Sequence, residues 1–251
     1  MAQAVVTGAT SGIGQAIALA LHRAGHQVIA IGRDPEALSR LKAQGLTPLS
    51  LDLGDMTGLS DRLATALSGL EPDVLVNNAG MVAPPGNFCD MAEADIHRSI
   101  ATNVTQALLT TRAIAPGMRT RGRGHIFFTG SVAAHTPYPN MAVYAATKAA
   151  LGAFAQSLRL DLSAAGVRVT EIVAGRVESP LYKDVLTLEA RAAMYAGNTA
   201  VQPDDVAEAA LFLCSPRAGA ITGVTLPVDA GWLVQAPYAQ YLRGNPIKEL
   251  A

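Results

Sequence analysis

Seven short apolar runs punctuate the chain, at Ala4–Thr7, Val28–Ile31, Leu49–Leu53, Val74–Val76, Ile126–Thr129, Val167–Val173 and Val224–Val228. They are rich in Val and Ile and lack strict polar alternation, which predicts strands buried on both faces. Between them, apolar residues recur at helical spacing over Gly14–Ala24, Pro35–Gln44, Leu59–Leu67, Ile96–Thr120, Val143–Ala164 and Asp204–Leu213. Strands alternating with helices imply right-handed crossovers and a doubly wound parallel α/β sheet flanked by helices. No repeat, low-complexity segment or linker divides residues 1–251, so a single domain is expected. Residues 179–202 break the rhythm and read as a loop insertion, the kind that covers a substrate site. The tail at residues 235–251, with Pro237, Gly244 and Pro246, reads either as an arm packing on another subunit or as disordered.

Composition narrows the function. Half of the 251 residues are hydrophobic and 16% are charged, which excludes a disordered chain. Lys+Arg 19 against Asp+Glu 20 leaves no basic field for a polyanion, so no nucleic-acid partner is expected. Cys89 and Cys214 are the two cysteines, too few for a disulfide framework and without ligand-like neighbours, so no metal is expected. The start MAQAVVTGAT does not read as a signal peptide, and no run of about 18 apolar residues occurs. The expectation is a cytoplasmic protein with no membrane partner.

The first run leads into Thr7-Gly8-Ala9-Thr10-Ser11-Gly12-Ile13-Gly14, followed by a helix. Glycine lets backbone approach a ligand closely, and a helix start offers unpaired N–H groups and a positive dipole end to a pyrophosphate. The same glycines could also form a tight βα turn without a ligand. The spacing Gly-x-x-x-Gly-x-Gly resembles that of the short-chain dehydrogenase/reductase family, in its classical branch, and the resemblance runs from Thr7 to about Trp232. It implies a single-domain Rossmann fold and a nicotinamide cofactor held by Gly8, Thr10, Ser11, Gly12, Ile13 and Gly14. Asp52-Leu53 resembles the family's adenine-contacting pair, and Asn77-Asn78-Ala79-Gly80 its NNAG motif, with Asn78, Ala79 and Gly80 lining the cofactor.

The second strand ends Gly32-Arg33-Asp34. An acidic residue at this strand end bonds the ribose 2′-hydroxyl of NAD, whereas an Arg accommodates the 2′-phosphate of NADP. Gly32 stands where the family's NAD users carry Asp, so Arg33 favours NADP(H) over NAD(H). Asp34 is the competing acid.

Tyr144 and Lys148 stand four apart in a helical segment, one turn apart on one face. A phenol with a pKa of about 10 needs a shift of about three units, or roughly 4 kcal/mol, to act near neutrality. A neighbouring ammonium and an oxidised nicotinamide both push that way. With Ser131 just past the fifth run, Ile126–Thr129, and Asn103 in the long helix, the four match the family's catalytic positions. The resemblance implies Tyr144 as acid/base, Ser131 as hydrogen-bond partner of the substrate oxygen, Lys148 as modulator of Tyr144, and Asn103 as a support.

The chain departs from the family in reading Ala174-Gly175 for Pro-Gly and Asp229-Ala230-Gly231 for Asp-Gly-Gly. Val177 and Ser179 stand where the carboxamide is contacted. His135, Thr136, Tyr138, Asn140 and Met141 are candidate pocket residues, and Arg176 is either an anion partner or a surface residue. The expected function is an NADP-dependent oxidoreductase of a small alcohol or carbonyl substrate. The alternatives are a non-catalytic NADP-binding sensor or scaffold and, with too little chain after Gly175 to favour it, an epimerase or dehydratase. The resemblance also implies a homotetramer or homodimer through the two long helices, for which Ala145, Ala149, Gly152 and Ala153 offer a small-residue face.

Overall fold

In the computed structural model, which describes residues 2–82, 86–137, 139–177 and 200–234, β1 (Gln3–Thr7) runs parallel to β2 (Gln27–Gly32) on one side and β4 (Val74–Asn77) on the other. With β3 (Thr47–Ser50), β5 (Gly124–Ser131), β6 (Val167–Ala174) and β7 (Thr225–Val228), the order is β3-β2-β1-β4-β5-β6-β7, every pair parallel. Winding reverses between β1 and β4, which opens a crevice at their carboxyl ends.

Both faces of the sheet are covered, which explains why the strand runs do not alternate. On one face Ala4, Val6, Phe127 and Ile172 pack against α1 (Gly12–Arg23), α2 (Pro35–Ala43) and α7 (Pro203–Cys214), through Ile17, Leu21, Leu41, Val206 and Leu213. On the other, Val5, Ile29, Leu75, Ile126 and Phe128 meet α3 (Leu59–Ala66), α5 (Gln106–Arg121) and α6 (Ala142–Ser163), through Leu63, Met118 and Leu151. These burials supply most of the stabilisation, at about 25 cal/mol per Å² of apolar surface.

Two elements differ from the sequence expectation. The third run forms a strand earlier, at Thr47–Ser50, and Leu51–Leu53 continues as a loop over the crevice. Pro48 is accommodated because β3 is an edge strand, as Pro227 is in β7 at the other edge. The single long helix expected at Ile96–Thr120 is divided. It comprises α4 (Glu93–Ile100), a π-helical turn at Ala101–Thr105, and α5. Helical periodicity cannot register the extra residue of a π turn, and such turns gather at functional sites.

Candidate active site

The crevice is a cleft of about 830 Å³ running from the end of β2 to the end of β5. Its first wall is the glycine turn. Gly8 has φ +63, and a Cβ there would lie 2.9 Å from Ala79 Cα, so backbone passes backbone only because no side chain intervenes. Gly14 does not line the cleft. A Cβ on it would collide with Asn78 Nδ2 and the Gly8 carbonyl, so it seats α1 against the turn. The α1 start carries no acidic residue in its first turn, and Ser11 makes no side-chain capping bond. Such a helix start suits a pyrophosphate.

Thr7 ties the turn to the NNAG segment. Its hydroxyl donates to the Val76 carbonyl at 3.2 Å and accepts from the backbone N–H groups of Asn78 and Ala79, both at 3.0 Å. Asn78 Nδ2 donates to the carbonyls of Thr7 and Gly8, while Gln106 Nε2 donates to the Ala79 carbonyl at 3.0 Å. Nothing in the glycine pattern announced Thr7. The only signal was a hydroxyl closing an apolar run.

At the β2 end, Arg33 Nη1 lies 3.9 Å from Asp52 Oδ2, both on the cleft wall with Leu53. Asp34 is committed elsewhere. Its Oδ1 accepts from the Glu36 and Ala37 N–H groups, both at 3.0 Å, as the N-cap of α2. Arg98 and Thr102, which the sequence did not single out, also line this end, and Arg98 pairs with Asp95.

At the β5 end, Ser131, Tyr144 and Lys148 line the cleft together. Ser131 is the last residue of β5 rather than beyond it, and its Oγ accepts from the Ala133 N–H at 3.2 Å, keeping the O–H for donation. Lys148 Nζ donates to the Thr129 carbonyl at 2.8 Å and lies 5.9 Å from the centre of the Tyr144 ring. Burial pushes the Lys148 ammonium down to about 8, opposed by the charge of Glu171. Asn103 sits behind the cleft in the π turn. Its Oδ1 accepts from the Met81 N–H at 2.7 Å, and its Nδ2 donates to the Met81 carbonyl at 2.9 Å and Thr147 Oγ1 at 3.0 Å. The amide therefore joins the NNAG segment to α6 next to Lys148. Gly80 is the spacer, since a Cβ on it would lie 3.1 Å from Asn103 Oδ1 and 3.7 Å from Lys148 Nζ.

A family model described as short chain dehydrogenase matches residues 2–189. The chain belongs to the short-chain dehydrogenase/reductase family. It is 45% identical over 206 residues to an uncharacterised short-chain type dehydrogenase/reductase, y4eK, of Sinorhizobium fredii, covering 81% of this chain and 82% of that one. It is 37% identical to the NADP-dependent 3-hydroxy acid dehydrogenase YdfG of Salmonella typhi, over 82% of this chain and 86% of the relative. Among solved structures, the 3-ketoacyl-(acyl-carrier-protein) reductase of Brucella melitensis, complexed with NADH, superposes with a TM-score of 0.84 at 32% identity, covering 92% of this chain and 97% of that one. The protein is thus a short-chain oxidoreductase acting on hydroxyl or carbonyl groups with a nicotinamide cofactor. The side-chain-free cradle at Gly8 and the uncapped α1 start fit the dinucleotide's pyrophosphate.

The family departures have local consequences. Gly175 keeps its glycine for space, because a Cβ would lie 2.5 Å from Asp229 Cα, and its N–H donates to the Val228 carbonyl at 2.9 Å. Ala230 takes φ 51, a left-handed conformation that costs an L-residue about 1 kcal/mol. Val177 lines the cleft, while Arg176 stacks on Trp232 with its guanidinium carbon 3.7 Å from the ring centre. The small-residue face divides: Ala145 is buried and Gly152 faces the Glu171 carboxylate, whereas Ala149 and Ala153 are exposed. Ser179, Tyr138, most of the 179–202 insertion and the 235–251 tail lie outside the described residues.

Proposed function

We propose that the protein is an NADP-dependent oxidoreductase of a small alcohol or carbonyl compound, with Tyr144, Ser131, Lys148 and Asn103 carrying the reaction. The observation that carries the reading is the joint burial of a phenol, a hydroxyl and an ammonium at one end of a cleft whose other end offers Arg33.

Bound nicotinamide supplies hydride transfer to or from the carbinol carbon. Gly8, Thr10, Ser11, Gly12 and Ile13 hold the pyrophosphate side, Asp52 and Leu53 the adenine, and Asn78, Ala79, Gly80, Val177 and Ser179 the remainder. Tyr144 Oη gives the proton to the substrate oxygen in reduction and removes it in oxidation. Ser131 donates its O–H to that oxygen and stabilises the charge developing on it. The Lys148 ammonium favours the phenolate, and Asn103 fixes the backbone around both. Burial lowers the Lys148 ammonium to about 8, so the charge that favours the phenolate is lost as pH rises through that value.

Arg33 supports NADP over NAD, since a guanidinium pairs with a 2′-phosphate and Asp34 is occupied as a cap. The named NADP-dependent relative supports the same choice. A one-domain chain with the 179–202 segment over the substrate site, and a dimer or tetramer formed through α5 and α6, complete the reading. The groove lined by Leu108, Ala115, Phe154 and Leu158 between those helices supports the assembly. The test is a carbonyl panel with NADPH and NADH, followed by nicotinamide absorbance. Turnover faster with NADPH is expected. Tight NADPH binding without turnover would return the sensor reading, and a stable monomer in light scattering would remove the assembly.

A further inference from the structure

One buried acid has no part in the reaction outlined above. Glu171 lies on β6, 3% exposed, between the buried Thr170 and Ile172. A charge in such a place is costly unless it is compensated. Thr225 Oγ1 donates to its Oε2 at 3.1 Å, while Oε1 has no hydrogen-bond partner among the described residues.

The space around the carboxylate is set by two glycines. A Cβ on Gly130 would come 2.9 Å from Glu171 Cδ, and one on Gly152 would come 3.1 Å from each carboxylate oxygen. Gly130 lies between Thr129, whose carbonyl accepts from Lys148 Nζ, and Ser131. Gly152 is one helical turn beyond Lys148, itself one turn beyond Tyr144. The carboxylate therefore occupies the next position along the same α6 face, under the strand end that carries the site.

We infer that Glu171 is a positioning residue for the Tyr144–Lys148 pair, its buried carboxylate between Gly130 and Gly152 acting as the negative charge that holds the Lys148 ammonium in its charged form. The inference rests on the proposed reading of that pair as an acid/base unit. Burial is the largest influence on Glu171; against it, in falling order, the Thr225 hydroxyl on β7, His135 in the turn after β5 and Lys148 on α6 favour the ionised carboxylate. Burial opposes them and raises the Glu171 carboxyl above its ordinary range. In return, the carboxylate charge offsets part of the burial penalty on Lys148. Removing one negative charge lowers every proton affinity of the coupled Tyr144–Lys148 unit, so the sign of the effect is fixed.

The experiment uses the full chain labelled with ¹³C at lysine Cε, the Lys148 resonance being identified by its loss in Lys148→Met. In Glu171→Gln, Lys148 titrates about one unit below its native value. The high-pH limb of NADPH-driven carbonyl reduction moves to lower pH by a similar amount. Glu171→Asp keeps the charge and recovers much of the shift. Thr225→Val removes the hydrogen bond that favours the carboxylate, so it moves Lys148 the same way by less and answers the question should Glu171→Gln not fold. The measurement is repeated with His135→Gln to separate the imidazole's contribution. Lys148 titrating as in the native chain in both Glu171→Gln and Thr225→Val overturns the inference. A shifted Lys148 resonance without turnover in any protein, native included, upholds it and overturns the acid/base reading instead.

Discussion

At the β2 rim, Arg33 and Asp52 hold their ion pair with side chains 79% and 47% exposed; at the β5 floor, Ser131, Tyr144 and Lys148 are each 5% exposed. The rim pair works in water, where such contacts contribute about 0–1 kcal/mol and a guanidinium exchanges partners freely. The floor groups sit where charge is poorly solvated and each hydrogen bond constrains its neighbour. Asn103 ties Met81 to Thr147, Lys148 ties α6 to the Thr129 carbonyl, and Thr7 ties β1 to the NNAG turn. The difference teaches that the groups proposed to carry the chemistry are held by the fold, while Arg33, proposed to read the cofactor, sits on a surface that a single substitution can change.

Breaking the floor should have the largest effect. Tyr144→Phe is expected to lower turnover about 10³-fold in steady-state kinetics, with cofactor binding by fluorescence titration little changed. Activity within tenfold of native would mean that another group moves the proton.

Strand β5 itself carries a buried titratable side chain, His125, whose ring approaches Thr170 Oγ1 at 2.9 Å. Burial pushes it down from 6.5 to about 3. Between those values the unfolded chain takes up a proton that the folded chain refuses. Stability is therefore complete above pH 6.5 and falls as pH drops toward 3, by roughly 1.4 kcal/mol per unit. Denaturant unfolding across that range should be less steep in pH for His125→Gln than for the native protein; identical slopes would sink the assignment.

At the rim, Arg33→Ala should raise the KM for NADPH about tenfold and leave that for NADH within about twofold, as loss of one charged hydrogen-bond partner requires. Equal losses for both cofactors would show that Arg33 does not read the 2′-phosphate. The smallest effect belongs to its neighbour. Asp34→Ala removes the α2 cap and should cost about 1 kcal/mol in thermal unfolding, with the NADPH/NADH ratio unchanged. A changed ratio would return Asp34 to the ribose.

Much of this was legible in the sequence because its signals are local. The seven apolar runs predicted all seven strands, the third displaced, because a strand covered on both faces is apolar over most of its length. The glycine turn, Ser131, Tyr144 and Lys148 were legible because a strand end or a helical turn brings them to one edge. The π turn was not, because its register break leaves the apolar spacing of Ile96–Thr120 nearly intact. Glu171 was present in the sequence as a lone acid in a buried run, yet only its neighbours say what it faces.

The sequence by itself determined the alternation of strand and helix, the glycine turn after β1 and the spacing of Tyr144 and Lys148, since each depends on residues close along the chain. Only the tertiary structure decided that Asp34 caps a helix, that Asn103 bridges two segments from a π turn, and that Gly130 and Gly152 leave room for a carboxylate. Those outcomes depend on atoms far apart in sequence meeting at contact distance, and burial then gives each meeting its energy.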